Sequence, residues 1–120
     1  MDNRQLLDQV PSGVGIFSIT KTAIAATYLN DGYYEMLGCK REDRIQYIGE
    51  GCTAAICEED LPGIHIELQR AVAEHAPFEC DFRIYIEDER YKWVHLRAKI
   101  VDRTEERYVF YGSFQDIDES

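Results

Sequence analysis

The chain has 120 residues, enough for one compact domain, and its 45% hydrophobic and 12% aromatic content supplies a core, which excludes a disordered chain. Its formal net charge of −10 repels phosphate backbones and anionic lipid, so nucleic acid and membrane surfaces are excluded as favoured partners. No apolar run approaches the roughly 20 residues of a membrane helix, and the N-terminus lacks the features of a signal peptide, so we expect a soluble, cytoplasmic domain.

Hydrophobic periodicity in the first half of the chain predicts a short helix, a strand hairpin and a helical middle. Leu6, Leu7 and Val10 share one side of the opening amphipathic helix. Asn30 or Asp31 can cap the helix that follows the hairpin. The predicted elements are a helix over 5–10, strands over 14–19 and 23–29, a helix that ends at Gly38, and a short helix over 41–48.

The second half predicts one longer helix and then three strands. Asp60 is placed to cap the helix, and Pro62 suits its first turn. Beyond Pro77 the period changes from helical to alternating, which predicts strands over 78–86, 93–101 and 108–117 in an antiparallel meander. The apolar stripe of the helix comprises Leu61, Ile64, Leu68, Ala71 and Val72.

This order of elements predicts an α+β fold. A five-stranded antiparallel sheet would bury one face beneath the short helices and the longer helix. We assign residues 1–10 to an N-terminal amphipathic helix, which either caps the domain or contacts a second copy. Residues 11–120 form the domain itself.

Several segments, in this order and spacing, carry a resemblance to one family. They are Pro11–Phe17, the N-x-x-aromatic-x-x-(L/M)-x-G pattern of Asn30–Gly38, Glu59–Pro62, Pro77-Phe78-Glu79-Cys80-Asp81-Phe82-Arg83-Ile84 with Tyr91-Lys92-Trp93-Val94, and Gly112–Ile117. From about Leu6 to Asp118 the chain resembles PAS domains, one subfamily of which carries a similar PFE…R…W-V signature and a terminal D-I-T.

The resemblance implies a sensory or regulatory module of a bacterial signal-transduction protein, and not an enzyme. Its usual C-terminal effector is a histidine kinase or a diguanylate cyclase, as in two-component and cyclic-di-GMP signalling. In the family an Asp–Thr pair couples the last strand to a following signalling helix. Asp116 keeps the first position of that pair, whereas Asp118 replaces the threonine and Ser120 is a weak substitute.

PAS domains commonly hold a ligand between the inner sheet face and the long helix. The alternation places on that face Phe82, Ile84, Val94, Leu96, Ala98, Phe110, Gly112 and Phe114. All except the glycine are apolar, which predicts a pocket for a small hydrophobic or aromatic ligand. The alternative is that these side chains simply fill the core, the commoner arrangement in protein interiors.

Neither flavin nor haem is expected as a cofactor. Cys52 lies near the reactive cysteine of flavin-binding PAS domains, but its neighbours lack the Asn and Arg of their G-x-N-C-R-F-L-Q motif, and Ile84, Val94 and Phe114 replace the polar groups that hold the flavin. Haem-binding PAS domains use a histidine on the long helix. His65 is the candidate of that kind, although the helical register places it at the margin of the buried face.

The chain shows no motif of a catalytic or metal site. It has no phosphate-binding glycine loop, no G-x-S-x-G elbow and no HExxH pair, so a small α+β enzyme is the less favoured reading. Cys39, Cys52, Cys57 and Cys80 form no CxxC pair, and we expect four reduced thiols.

Aromatic residues also occupy the predicted outer face of the sheet. They are Tyr85, Tyr91, Trp93, His95 and Tyr111. A solvated face does not normally expose so many, so the N-terminal helix is expected to cover them, within one chain or across a dimer. PAS homodimers often form in this way. A ligand-free dimerisation domain is therefore the alternative to a sensor.

Overall fold

The computed structural model describes residues 3–118 and confirms the α+β architecture. Its strands are β1 (Gly13–Ile19), β2 (Ile24–Leu29), β3 (Phe78–Tyr85), β4 (Tyr91–Arg103) and β5 (Tyr108–Asp116). Its helices are α1 (Asn3–Asp8), α2 (Asp31–Leu37) and α3 (Leu61–Glu74), with 3₁₀ segments at Arg41–Tyr47, Glu50–Ala55 and Glu58–Asp60. The strands form one antiparallel sheet in the order β2–β1–β5–β4–β3.

The bounds of several elements differ from those predicted, among them α1, β3 and β4. α1 begins and ends two residues earlier than the apolar pattern indicates. β4 is longer than predicted because its last residue, Arg103, still pairs with Tyr108 at the start of β5. β3 ends at Tyr85, because the next N–H, that of Ile86, donates to the carbonyl of Arg90 and closes a turn.

Asn30 connects three elements at one buried point. Its side chain is 0% exposed, and Oδ1 accepts hydrogen bonds from the N–H of Tyr33 at 3.0 Å and of Val14 at 2.7 Å. The first of these caps α2, as predicted. Nδ2 donates to the carbonyls of Leu7 at 2.7 Å and Ser12 at 3.0 Å. One amide side chain thus joins the end of α1, the start of β1 and the start of α2.

Asp60 occupies the predicted N-cap position of α3, but the expected capping bond of its side chain is absent. Asp60 has helical dihedral angles (φ −90°, ψ −14°) and makes no capping bond with its side chain. Its carboxylate instead accepts from Arg83, through the backbone N–H at 2.8 Å, Nε at 3.0 Å and Nη2 at 2.9 Å. Bonds to a guanidinium are stronger than a cap to neutral N–H groups, so the ion pair wins. It fastens the start of α3 to β3.

The core lies between the inner face of the sheet and the helical layer. Alternate residues of β3, β4 and β5 point inward and are buried, namely Phe78, Phe82, Ile84, Val94, Leu96, Ala98, Phe110 and Phe114. Ile64 and Ala71 of α3 join the same cluster. Gly112 allows the strands to pack closely, because a Cβ there would lie 2.8 Å from the side chain of Leu96.

Asp8, the last residue of α1, holds this helix at the corner between β2 and α2. Its Oδ2 accepts from the hydroxyl of Tyr28 at 2.6 Å, and its Oδ1 accepts from the N–H of Asp31 at 2.9 Å and from Arg41 at 3.3 Å. Arg41 also lies over the Tyr28 ring, 5.0 Å from its centroid. The position of α1 therefore depends on a polar cluster as well as on its apolar side.

Candidate functional site

A cavity of about 70 Å³ lies between the inner face of the sheet and the helices. Its lining is almost entirely hydrocarbon and includes five phenylalanine rings, those of Phe17, Phe78, Phe82, Phe110 and Phe114. Two of these rings, Phe17 and Phe114, meet edge to face at 6.1 Å. An apolar cavity of this kind excludes water and accepts only an apolar guest.

Six of the seven residues predicted to face the pocket line this cavity. They are Phe82, Ile84, Leu96, Ala98, Phe110 and Phe114. Val94 is a correction: it points inward and is fully buried, but it lies outside the cavity lining. It pairs with Asp116 at the end of the sheet, beyond the cavity.

The sequence did not assign the other thirteen residues of the lining, which come from β1, β2, the helical middle, α3 and the start of β3. It comprises Phe17, Ile19, Ile24, Ala26, Leu29, Tyr33, Tyr47, Cys52, Ala55, Ile56, Ile64, Leu68 and Phe78. A bulge explains part of the omission. Tyr28 lies opposite Ile16, but Ala26 lies opposite Phe17, so Thr27 is an extra residue that breaks the alternation of β2.

The polar groups of the lining do not fit a flavin. The thiol of Cys52 faces the carbonyl of Ile24 at 3.6 Å, and burial raises its pKa, which disfavours the reactive thiolate. The hydroxyl of Tyr33 is buried as well, and desolvation raises its pKa above the ordinary range. No asparagine or glutamine lines the cavity to pair with the polar edge of the ring. The volume is also well below the roughly 300 Å³ of a small ligand pocket.

His65 does not reach the cavity. Its side chain is exposed on α3 and borders a surface cleft with Gln69 and Glu106. The helical register placed it at the edge of the buried face, whereas the residue is exposed. The structure therefore does not support the weak candidacy of His65 as a haem ligand, because its side chain does not line the cavity.

The four cysteines are unpaired thiols, and only Cys57 is fully buried. Within residues 3–118, no three His, Cys, Asp or Glu side chains are placed to hold a metal ion. No helix in the same part of the chain is long and apolar enough to cross a membrane.

Asp116, the predicted relay residue, ends β5 in a set of bonds with the start of β4. Its Oδ2 accepts from Lys92 Nζ at 2.8 Å, and its Oδ1 accepts from the N–H of Asp118 at 2.9 Å. The bond to Lys92 lowers the pKa of the Asp116 carboxyl. Asp118 in turn accepts from the N–H of Trp93 at 3.3 Å. The chain after β5 is thus held against β4 by two carboxylates, while Ser120 lies outside the described residues.

The outer face of β3 and β4 carries the predicted aromatic side chains. Tyr91 and Trp93 are 43% and 39% exposed, and Arg83 lies over the indole at 4.8 Å. His95 bridges two carboxylates on the same face, with Nδ1 2.7 Å from Asp81 and Nε2 3.3 Å from Glu79. Because α1 is held at the β2–α2 corner, it leaves Tyr91 and Trp93 uncovered in the single chain.

Solved structures share this fold over nearly their whole length. The PAS domain of a Colwellia psychrerythraea protein superposes with a TM-score of 0.73 at 17% identity, covering 97% of this chain and 94% of that one. The LOV domain of a blue-light-activated histidine kinase from Erythrobacter litoralis superposes with a TM-score of 0.68 at 22% identity, covering 92% of this chain and 100% of that one. The N-terminal domain of a diguanylate cyclase with PAS/PAC sensor from Marinobacter aquaeolei superposes with a TM-score of 0.62 at 18% identity, covering 88% of this chain and 95% of that one.

At these identities the likeness concerns the fold. No curated protein matches the chain significantly in sequence. A sequence profile described as the PAS fold does match, over residues 26–113, which is most of the domain. That span includes most of β2, the helical middle, β3, β4 and most of β5. The chain belongs to the PAS fold family.

Proposed function

We propose that this chain is a sensory module that binds a small apolar ligand in the cavity and passes the change through β5 to a C-terminal effector. The observation that carries the proposal is the apolar cavity between sheet and helices, since a packed core leaves few voids larger than a water molecule. Two of the structural neighbours come from a histidine kinase and a diguanylate cyclase, which supports these two classes of enzyme as the effector. The domain itself is non-catalytic in this proposal.

The test uses guests that match an apolar void of this size. Xenon and benzene are suitable probes: a dry apolar cavity of about 150 Å³ takes both, and this cavity, at about 70 Å³, favours the smaller guest. We expect saturable binding of xenon, read by ¹²⁹Xe NMR, and weaker binding of benzene. The variant Leu68→Phe fills the cavity from α3 and should abolish binding of both.

Ile66→Phe is the matched control, because Ile66 lies on the same helix, is 68% exposed and does not line the cavity. It should bind xenon as the wild type does. Equal binding by the wild type and Leu68→Phe would refute the ligand role of the cavity. Native mass spectrometry and an absorption spectrum of the purified protein then search for a retained natural ligand.

Signal relay in this proposal depends on Asp116 and its bond to Lys92. A ligand that shifts β5 against β4 changes where the following segment leaves the sheet. A change in the populations of two conformations of the domain is sufficient to produce this shift. In the full-length protein, Asp116→Ala should leave ligand binding intact but make effector activity insensitive to the ligand. Asp102→Ala, an exposed carboxylate on β4 away from this bond, is the control.

A ligand-free dimerisation domain is the second candidate, favoured by the exposed aromatic face of β3 and β4. In either role we propose a homodimer in which this face and α1 meet the partner. Sedimentation equilibrium should give a dimer for the wild type and a monomer for Trp93→Glu. If the wild type remains a monomer when its concentration is raised 100-fold above that of this sedimentation experiment, the dimer proposal is contradicted.

A further inference from the structure

Arg44 is a buried cation without an anionic partner among residues 3–118. It lies in the 3₁₀ segment Arg41–Tyr47, where its dihedral angles (φ −129°, ψ 26°) break the helical path. Arg44 is only 3% exposed, and within residues 3–118 the only other buried polar residue is Asn30. An arginine keeps its charge inside a protein, so such a position requires a partner or a reason.

The known contacts of Arg44 use only part of its guanidinium. Nη1 donates to the carbonyl of Ile86 at 3.3 Å, and the group lies 4.7 Å from the centroid of the Tyr47 ring. Nε and Nη2, which form one edge of the fork, have no hydrogen-bond partner within residues 3–118. The buried hydroxyl of Tyr33 is a neighbour of the guanidinium, since burial raises its pKa and Arg44 opposes that rise. Arg41 and Arg83, by contrast, both pair with carboxylates.

A third unused polar group lies nearby. Within the described part of the chain, the buried side-chain atoms without a partner are Nε and Nη2 of Arg44 and the hydroxyl of Tyr34. Burial raises the pKa of Tyr34, and the charges of Arg41 and Arg44 oppose that rise. Arg41 lies over the Tyr34 ring, 4.8 Å from its centroid. Leaving such groups unpaired costs about 1–3 kcal/mol each, and native proteins keep few of them.

Arg44 borders a surface cleft between the Lys40–Tyr47 segment and the turn that joins β3 to β4. Four basic and three acidic side chains line the cleft, which leaves one positive charge in excess. Arg90 already pairs with Glu87, and Lys92 pairs with Asp116. Of the other two cations of the cleft, Lys40 is exposed to water and Arg44 is buried, so Arg44 is the cation that lacks both an anion within residues 3–118 and solvent. Aromatic rings, among them those of Tyr47 and Tyr91, supply the apolar part of the wall.

We propose that this cleft binds a small monocarboxylate with an aromatic or short apolar body, whose two oxygens accept hydrogen bonds from Nε and Nη2 of Arg44. The free edge of a guanidinium matches a carboxylate with two parallel bonds. The single excess charge favours a monoanion over phosphate, which carries about −1.5 to −2 and would face the three acids of the rim. Nε and Nη2 are covered from solvent, so binding includes displacement of the side chains over them.

This site is distinct from the apolar cavity, with which it shares only the side chain of Tyr47, and the proposal does not rest on ligand binding in that cavity. The experiment is a titration of the wild-type domain with sodium benzoate, followed by the ¹⁵Nε–H signal of Arg44 and by the thermal midpoint. Sodium chloride and sodium phosphate at equal ionic strength are the comparison ligands. We expect a saturable shift of the Arg44 signal and a rise in Tm of roughly 5 °C at ten times the dissociation constant.

Two variants assign the effect to the free guanidinium edge. Arg44→Met should lose the benzoate response and remain folded, because apolar replacement of an unpaired buried ion is tolerated. Arg90→Met removes an exposed, paired cation from the same cleft and should bind benzoate within twofold of the wild type. If Arg44→Met does not fold, the wild-type Arg44 signal alone decides.

Three results would overturn the proposal. One is an Arg44 signal that does not move with benzoate. Another is an equal response to chloride, which would indicate a non-specific salt effect. The third is tighter binding of phosphate than of benzoate, which would contradict the monocarboxylate class.

Discussion

Replacing Asn30 tests whether one buried amide holds the N-terminal part of the domain together. Asn30→Ala removes four hydrogen bonds, to two N–H groups and two carbonyls. At about 1 kcal/mol for each bond, and more where the abandoned group stays dry, the free energy of unfolding should fall by about 3–5 kcal/mol. That is a large part of the 5–15 kcal/mol typical of a domain.

Asn30→Asp separates the two halves of this network. The carboxylate keeps both acceptor bonds, to Val14 and Tyr33, but it loses both donors and places negative charge against the carbonyls of Leu7 and Ser12. Its protonated form can donate one bond. The loss of stability relative to the wild type should therefore be largest near pH 7 and become smaller as the pH falls.

The assay is urea unfolding followed by the fluorescence of Trp93, the single tryptophan of the chain. Thr27→Val is the matched control, because its hydroxyl also bonds a backbone carbonyl, that of Ile16 at 3.1 Å, but on an exposed side chain. It should cost no more than about 0.5 kcal/mol. A loss below about 1.5 kcal/mol for Asn30→Ala would refute the argument, since it would mean that water replaces the amide at little cost.

Three further predictions concern the core and two charged pairs. Phe110→Ala, which empties a ring from the cavity wall, should lower the free energy of unfolding by about 3–5 kcal/mol in the same assay, and a loss below 1 kcal/mol would contradict its burial. The bonds from Arg83 lower the pKa of Asp60 below its ordinary 3.8, so the stability difference between wild type and Asp60→Asn should be constant at pH 5–7 and shrink as the pH falls below 3.8. A difference that persists to the lowest pH measured would argue against the ion pair. The bond to Asp81 raises the pKa of His95 above 6.5, so its stabilising effect, present in full below 6.5, should disappear as the pH rises through the higher folded-state value. Urea midpoints of wild type and His95→Gln at pH 5.5 and 8.5 measure it, and a difference that grows with pH would reverse the assignment.

The alternating patterns of β3, β4 and β5 were sufficient to predict the sheet and six cavity residues, because side-chain direction in a regular strand follows from position alone. The same rule failed in β2, where a bulge at Thr27 breaks the period. For Val94 the rule gave the correct inward direction, but this residue lies too far along the strand to line the cavity. Local rules placed Asp60 correctly at the start of α3 but assigned its carboxylate the wrong partner. A cap depends on neighbouring residues, whereas Arg83 is distant in sequence and becomes a competitor only after folding.

Other features had no local signal at all. The bonds of Asp8 to Tyr28 and Arg41 join three separate parts of the chain. The burial of Arg44 likewise depends on how the 3₁₀ segment meets the β3–β4 turn. A charged residue in a polar stretch is normally assigned to the surface, and only the packed structure reveals one that is not.

The pairing of β1 with β5 places the first and last strands of the sheet side by side, with Gly13 opposite Phe114 and Ile19 opposite Tyr108. During synthesis, almost the whole domain must therefore be made before β5, the second neighbour of β1 in the sheet, is available for pairing. Contacts between such distant segments slow folding and make it cooperative. The strand proposed to carry the signal is also the strand that completes the sheet, so a change in β5 reaches both halves of the domain at once.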